Sequence, residues 1–384
     1  MILSLIERLA RRHRVTVVAL GQEPVDGEYG LLGATVLNVR LPSPGGVLGP
    51  VRLADLVRRA VVASGRHGRP DVVHGFWAGV SGMTAVAIGR RHRVPVVVSA
   101  AGGELVARPD LGYGGALGRG GRLIARSAFR GADVVTVASG WMSEQVRAAG
   151  HRVDEIVVLG VDAIRYSPVV ASAPSSTSTP VVNRICSVAS LNRVKDPGLI
   201  VDAFVLVRQE IPDATLELVG VDTLGGEIQR HAVRLGLDER AVRFSGFVTP
   251  AALPACLHEA ELHVLASHHD AAPVAVLEAA ACGVATVGTR IGHVADLAAL
   301  EPPAAVVVDS RTPAVLAAAI IDLLRDPARR RALAGAARSW AIEHDADHTA
   351  ATFERIYSEA RASSRARTWS RSAAASGEAP RPST

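Results

Sequence analysis

The stretch from Leu262 to Gly283, LHVLASHHDAAPVAVLEAAACG, holds the residues best placed for chemistry. It carries one carboxylate at Asp270 and another at Glu278, eight positions further on. The apolar run to Ser267 reads as a strand. Pro273 stands where a first helical residue belongs, and Gly283 is the stop. This puts Asp270 on a loop facing a cleft and Glu278 about one and a half turns into a helix. The N–H groups of that helix's first turn, near Val274 and Ala275, lack intrahelical partners and form a natural anion site. Among 42 lysines and arginines the chain has a single lysine, Lys195, on a second loop.

The elements that must position these residues alternate throughout. Short Val-rich runs bounded by turn residues are separated by longer amphipathic stretches, the pattern of parallel strands and crossover helices. In the first half, strands are predicted at 15–20, 35–41, 71–76, 94–99, 133–139 and 155–159, with helices at 51–66, 80–92, 117–129 and 140–149. Residues 169–182 form a Ser/Thr/Pro-rich segment without periodicity, read as an interdomain linker. A second alternation follows, with strands at 184–190, 214–220, 242–246, 262–267, 284–289 and 304–308. Its helices are predicted at 197–210, 224–235, 250–257, 273–282 and 313–325. Three further helical patterns end near Ala362, and a Ser/Arg/Ala/Pro-rich tail, 363–384, reads as disordered. The expected fold is therefore α/β: two Rossmann-like doubly wound domains, 1–168 and 183–345, face a central cleft where the strand-to-helix loops bind ligands.

Composition narrows the class. Over 384 residues, 48% are hydrophobic and 21% charged, enough for two globular cores. Three scattered cysteines exclude a disulfide framework or a Cys-based zinc site and fit a reduced, cytoplasmic setting. No run of about 18 uncharged apolar residues is present, and the opening segment lacks the form of a signal peptide. Residues 1–168 hold 21 arginines against 13 acids, about +8, while the remainder is about −3. Either this is drift in a basic composition, or the first half meets something anionic.

The loop acid, seven residues and then Glu-Ala-x-Ala-x-Gly resembles the Glu-x7-Glu signature of retaining family 4 glycosyltransferases of the GT-B fold (glycosyl transferases group 1). The resemblance implies that Glu278 holds the ribose hydroxyls of a nucleotide diphosphate sugar. It also implies that Asp270 approaches the transferred sugar and that the amides of Val274 and Ala275 bind the diphosphate. Aspartate replaces the usual first glutamate, shortening its reach by about 1.5 Å. The segment 188–196, VASLNRVKD, resembles the family's Gly-Arg-Leu-x-x-x-Lys-Gly loop. Lys195 then supplies a compact charge against the diphosphate. Ser190 falls at the family arginine, and Arg193 is a candidate to compensate. Gly220 matches the donor-side glycine after the second strand, and the backbone near Phe247 is expected to face the base. Residues 289–296, TRIGHVAD, resemble the loop after the fifth strand.

The first domain matches through 71–77, DVVHGFW, and 95–104, PVVVSAAGGE. Phe76 and Ala101 stand at two family histidines, and Glu104 keeps the family acid. Segment 158–168, VLGVDAIRYSP, matches the exit from that domain. The family opens with a strand and a Gly-Gly loop, whereas Met1–Ala10 already reads as the first helix. This implies that the first strand of the N-terminal domain is missing and that the true start lies upstream. A C-terminal helix, 346–362, is expected to return to the first domain.

The resulting expectation is a glycosyltransferase that moves a hexose, with retention, from a nucleotide diphosphate sugar to an unknown acceptor. Alternatives are a catalytically impaired nucleotide-sugar-binding protein, favoured by the missing first strand, Ala101, Ser190 and Asp270, or a GT-B-like sugar-nucleotide epimerase. No metal and no further cofactor are expected, because His268 and His269 point oppositely in extended backbone and lack partner ligands. Nucleic acid is not an expected partner. An anionic or lipid-linked acceptor is, with peripheral contact of the basic N-terminal domain at the inner face of the membrane.

Overall fold

Most strands are Val- and Leu-rich runs of four to six residues, and the stretches between them wind into helices that cover both sheet faces. The computed structural model describes residues 2–41, 49–168 and 183–376. The expected linker, 169–182, lies outside the described residues. The first half contains α1 (Ile2–Ala10), β1 (Thr16–Leu20), β2 (Gly27–Leu31), β3 (Ala34–Val39), α2 (Pro50–Ser64) and β4 (Val73–Phe76). It continues through α3 (Val80–His92), β5 (Val96–Ala100), α4 (Arg119–Gly131), β6 (Val134–Val137), α5 (Gly140–Ala148) and β7 (Glu155–Ile156). The second half contains β8 (Arg184–Val188), α6 (Pro197–Glu210), β9 (Thr215–Val219), α7 (Glu227–Arg234), β10 (Val242–Gly246), α8 (Leu253–His258) and β11 (Leu262–Leu265). After these come α9 (Val274–Ala281), β12 (Ala285–Thr289), α10 (Gly292–Ala298), β13 (Val306–Val308), α11 (Pro313–Arg325), α12 (Pro327–Glu343) and α13 (Ala346–Ser376).

The second half is one parallel sheet in the order β10-β9-β8-β11-β12-β13. Numbered from its own first strand this is the doubly wound order 3-2-1-4-5-6, whose switch point lies between β8 and β11. Its core packs Ile185, Leu216, Leu218, Leu262 and Val264 of the sheet against Phe204 of α6 and Ile320 of α11.

The first half is divided. Strands β4-β5-β6-β7 form a parallel sheet, and β1-β3-β2 form a separate mixed sheet. Among the described residues β1 pairs only with β3 and β4 only with β5, so each keeps one unpaired edge. β2 was not predicted: it runs antiparallel to β3, and its GEYGL sequence has two glycines and mostly exposed positions. α10 was also missed, and two helices, not three, follow α11. The expected end near Ala362 is corrected as well, because α13 continues to Ser376. Its Ala- and Arg-rich extension contains no Gly or Pro to stop it.

α13 joins the two halves. Its Phe353 is fully buried and packs with Leu5 and Leu9 of α1 and Val97 of β5. Tyr357 Oη lies 2.7 Å from His74 Nδ1, and His74 Nε2 lies 2.7 Å from Ser99 Oγ. Burial pushes His74 down to about 3, so the ring is neutral and serves as a structural tie. Arg8 adds a bond to Asp347 at 2.7 Å. Among the described residues no helix is long and apolar enough to cross a membrane.

Phe353→Ala removes the aromatic centre of this strap. It is expected to cost about 3–5 kcal/mol in urea unfolding followed by circular dichroism.

Candidate active site

The loops after β8 and β11 leave the sheet on either side of the switch point and converge. Lys195 Nζ forms an ion pair with the Asp270 carboxylate. Both side chains are largely sheltered, at 24% and 20% exposure, so the pair is poorly screened by solvent. Several bonds hold the two loops in register. His268 N donates to the Val194 carbonyl at 2.7 Å. Asn192 Oδ1 accepts from Val194 N and Lys195 N. Arg311 donates to the carbonyls of Ala266 and Ser267, both at 2.8 Å, and pairs with Asp196. Asp196 sits at φ +49° and caps α6 by accepting from Leu199 N.

α9 begins at Val274, one residue later than the sequence pattern placed it. Pro273 is the N-cap, with ψ 107° in the extended region. The N–H groups of Val274 and Ala275 have no acceptor among the described residues. Glu278 lies one turn further along the same helix, half-buried, and accepts a 2.7 Å hydrogen bond from Tyr166 Oη. Burial pushes the Glu278 carboxyl above the ordinary range, and the Tyr166 bond draws it part of the way back. Tyr166 belongs to the segment leaving the first domain, so the Glu278 carboxylate is held from the interdomain connection.

Two glycines have positions that no side chain could share. Gly220 ends β9 at φ +150°, and a Cβ there would lie 2.0 Å from the Ala189 carbonyl oxygen, beside Ser190. Gly292 opens α10 at φ +42°, where a Cβ would meet Pro273 Cδ at 2.5 Å and the Asp270 carbonyl at 2.7 Å. Ser190 is exposed at this mouth. Phe247 is 70% exposed on the loop after β10. Arg193 is exposed too and turns toward Glu227, 4.0 Å away, while Lys195 turns inward to Asp270.

The first domain closes the opposite wall. Tyr113 Oη lies 3.1 Å from His269 Nδ1, and an Arg108 nitrogen lies 3.3 Å from His268 Nδ1. Asp296 of α10 accepts from Gly140 N and Trp141 N, both at 2.8 Å, capping α5 across the domain boundary. Glu104 does not project into the cleft. It is buried and accepts from the N–H groups of Ala78, Ala101 and Gly102, which folds the loop after β5 around it. Trp77, at the carboxyl end of β4, has φ +65° and is 44% exposed. Such a conformation is an outlier for a bulky residue. Its ring lies against Gly102, where a Cβ would stand 2.8 Å from Trp77 Cδ1, and its indole N–H has no acceptor among the described residues.

With this geometry in view, two family models match the chain in succession. The Glycosyl transferase 4-like domain covers residues 1–162, and Glycosyl transferases group 1 covers residues 175–340. The chain belongs to the group 1 glycosyltransferases. It is a glycosyltransferase of the GT-B fold. Glycogen synthase of Mycobacterium tuberculosis is 28% identical over 334 residues, spanning 84% of this chain and 75% of that protein. D-inositol 3-phosphate glycosyltransferase of Salinispora arenicola is 28% identical over 327 residues, 78% of this chain and 70% of that protein. Among solved structures, sucrose-phosphate synthase of Thermosynechococcus elongatus superposes with a TM-score of 0.78 at 18% identity, covering 94% of this chain and 92% of that one. Anabaena HepE, in complex with UDP and glucose, gives 0.70 at 19% identity, with 93% and 95% covered.

Sequence reading missed Tyr166, Arg311, Asp296, Tyr113 and Trp77 as site residues. Tyr166 was inside a quoted motif, but nothing local indicates a contact 112 positions away.

The Tyr166 bond stabilises the charged form of Glu278, so its loss raises that carboxyl further. Where ligand binding needs the carboxylate, the acid limb of binding in Tyr166→Phe moves up by about one pH unit. As pH falls through the raised value, the fold takes up a proton before the unfolded chain does. Ligand affinity therefore drops while this group's contribution to stability rises. Calorimetric titration with uridine diphosphate across pH, beside thermal melts, checks both signs.

Proposed function

We propose that the protein transfers a hexose from a nucleotide diphosphate sugar to an acceptor hydroxyl with retention of anomeric configuration. The observation that carries this reading is the meeting of Lys195, Asp270, the free α9 N-terminus and Glu278 at one switch point. Each group fits one part of such a donor. Lys195 and the N–H groups of Val274 and Ala275 present positive charge to a diphosphate. Glu278, half-buried at a fixed orientation, accepts hydrogen bonds from ribose hydroxyls. The backbone by Phe247 and Gly220 lies where the base and ribose would rest.

The reaction follows from these positions. The bond from the anomeric carbon to the diphosphate oxygen breaks, and the acceptor oxygen bonds to that carbon. The acceptor proton leaves with the departing diphosphate. Lys195 and the α9 terminus stabilise the charge that develops on that leaving group. Lys195 is held by Asp270. An arriving diphosphate draws the ammonium toward itself and frees Asp270 to face the transferred sugar. Family likeness in the Asp270-to-Glu278 motif supports retention.

The acceptor wall is the first domain. Trp77, held exposed in a strained conformation, offers a flat apolar face with a free N–H at its rim, the form that stacks on the apolar face of a sugar ring. This favours an acceptor with a carbohydrate portion.

A screen of nucleotide sugars, read as released nucleoside diphosphate, tests the reaction. Glu278→Ala is expected to abolish donor binding, and Lys195→Ala to weaken it by about a hundredfold. Asp270→Asn lowers turnover more than donor affinity. Unchanged affinity in both Glu278→Ala and Lys195→Ala would remove the donor from this site. Donor binding without hydrolysis or transfer would instead support a binding protein. Trp77→Ala should raise the acceptor KM with donor affinity unaltered.

A further inference from the structure

In the first domain, α4, the loop after β5 and the turn after α5 line a cavity of about 610 Å3. Arg122, Arg126, Arg130 and Arg152 line it together with His151, and no acidic side chain does. The arginines on α4 recur every four positions, which stacks them on one helix face. Like charges so arranged weaken a helix unless a counter-charge joins them. Arg152 is answered by Asp154 at 3.2 Å and by the Ala132 and Asp133 carbonyls. Arg122 donates to the Ala116 carbonyl at 2.8 Å. Arg126 and Arg130 have no ion pair or hydrogen bond to a described carboxylate. The floor is built: Phe129 is buried and stacks on the His151 ring with centroids 4.4 Å apart. That stacking fixes the imidazole between the turn and the helix. Burial and the charges of Arg126 and Arg130 push His151 down, so it stands there as a neutral donor.

We infer that this cavity binds a phosphoryl group, carried by a soluble phosphorylated molecule or by an anionic lipid headgroup, between Arg126 and Arg130 with the His151 ring as its floor. Guanidinium groups match phosphate oxygens in pairs, and an accumulation of them without acids is what a phosphate site requires. The cavity runs along α4 from Leu105 and Ala116 of the loop after β5 to the turn after α5, and neither Lys195 nor any residue of α9 lines it. It gathers four of the 21 arginines of residues 1–168.

The test compares the full chain with Arg126→Gln/Arg130→Gln, which keeps helix propensity and removes both charges. Inositol hexakisphosphate in calorimetry is the soluble probe. Sedimentation with phosphatidylcholine vesicles, with and without phosphatidylglycerol, is the lipid probe. At least one probe is expected to bind, with about a tenfold or greater loss in the double variant and recovery in Arg126→Lys/Arg130→Lys. Binding of the soluble probe alone assigns a free ligand, and binding of phosphatidylglycerol vesicles alone assigns a headgroup. The inference is overturned if the wild-type chain binds neither probe or if the glutamine variant binds both unchanged. It is overturned too if binding is lost in Lys195→Ala and kept in the glutamine variant, which would put the anion in the cleft. Thermal melts and donor titrations of the Arg126/Arg130 variants that match the wild-type chain separate loss of the site from loss of the fold.

Discussion

The ion pair between Lys195 and Asp270 is the point on which the cleft depends. A parallel sheet alone leaves the loops after β8 and β11 free to diverge, because the crossover helices that follow them pack on opposite faces. Opposite charges on these loops draw them together over the switch point. Arg311 makes that closure rigid by gripping Asp196, next to Lys195, and the Ala266 and Ser267 carbonyls before Asp270. The glycines answer the same constraint. Loops drawn this close leave no room for a Cβ at Gly220 against Ala189, or at Gly292 against Pro273.

The closure extends to the other domain through groups that are polar at both ends. Asp296 caps α5, Ser139 donates to the Ala271 carbonyl, and Tyr166 donates to Glu278. α13 then fixes its Phe353 and Tyr357 under β4 and β5. Hydrogen bonds of this kind each contribute modestly, and an interface built from them can open at moderate cost. A transferase that admits a donor between two domains needs such an interface. Apolar burial is concentrated within each domain and in the α13 strap, where no opening is required.

Most of the architecture was legible because the strands are buried on both faces. A near-continuous valine run marks β5 (VVVSA) and β6 (VVTV) whatever their order in the sheet. β2 escaped because it is an exposed antiparallel ribbon with glycines, where no face demands a hydrophobic pattern. α10 escaped because it is seven residues long, starts at a glycine and has no side-chain cap. Asp270, Glu278 and Lys195 were readable since their loop and helix positions follow from local punctuation. Tyr166, Asp296 and Arg311 act only through partners brought near by folding. Glu104 shows the opposite case: an acid at a family position turned inward to hold backbone N–H groups.

The single lysine now has a physical reading. Two cations serve the switch point, and they do different work. Arg311 makes several bonds at once through a planar fork and so fixes whatever it touches. Lys195 ends in a compact ammonium on a flexible stem and makes one ion pair. A cation that must leave a carboxylate for a diphosphate needs few bonds to break and freedom to move. An arginine there would bridge Asp270 in two places and hold it. In a chain that otherwise uses arginine for positive charge, the exception falls, on the function proposed above, where a charge passes from Asp270 to a diphosphate rather than being held in place.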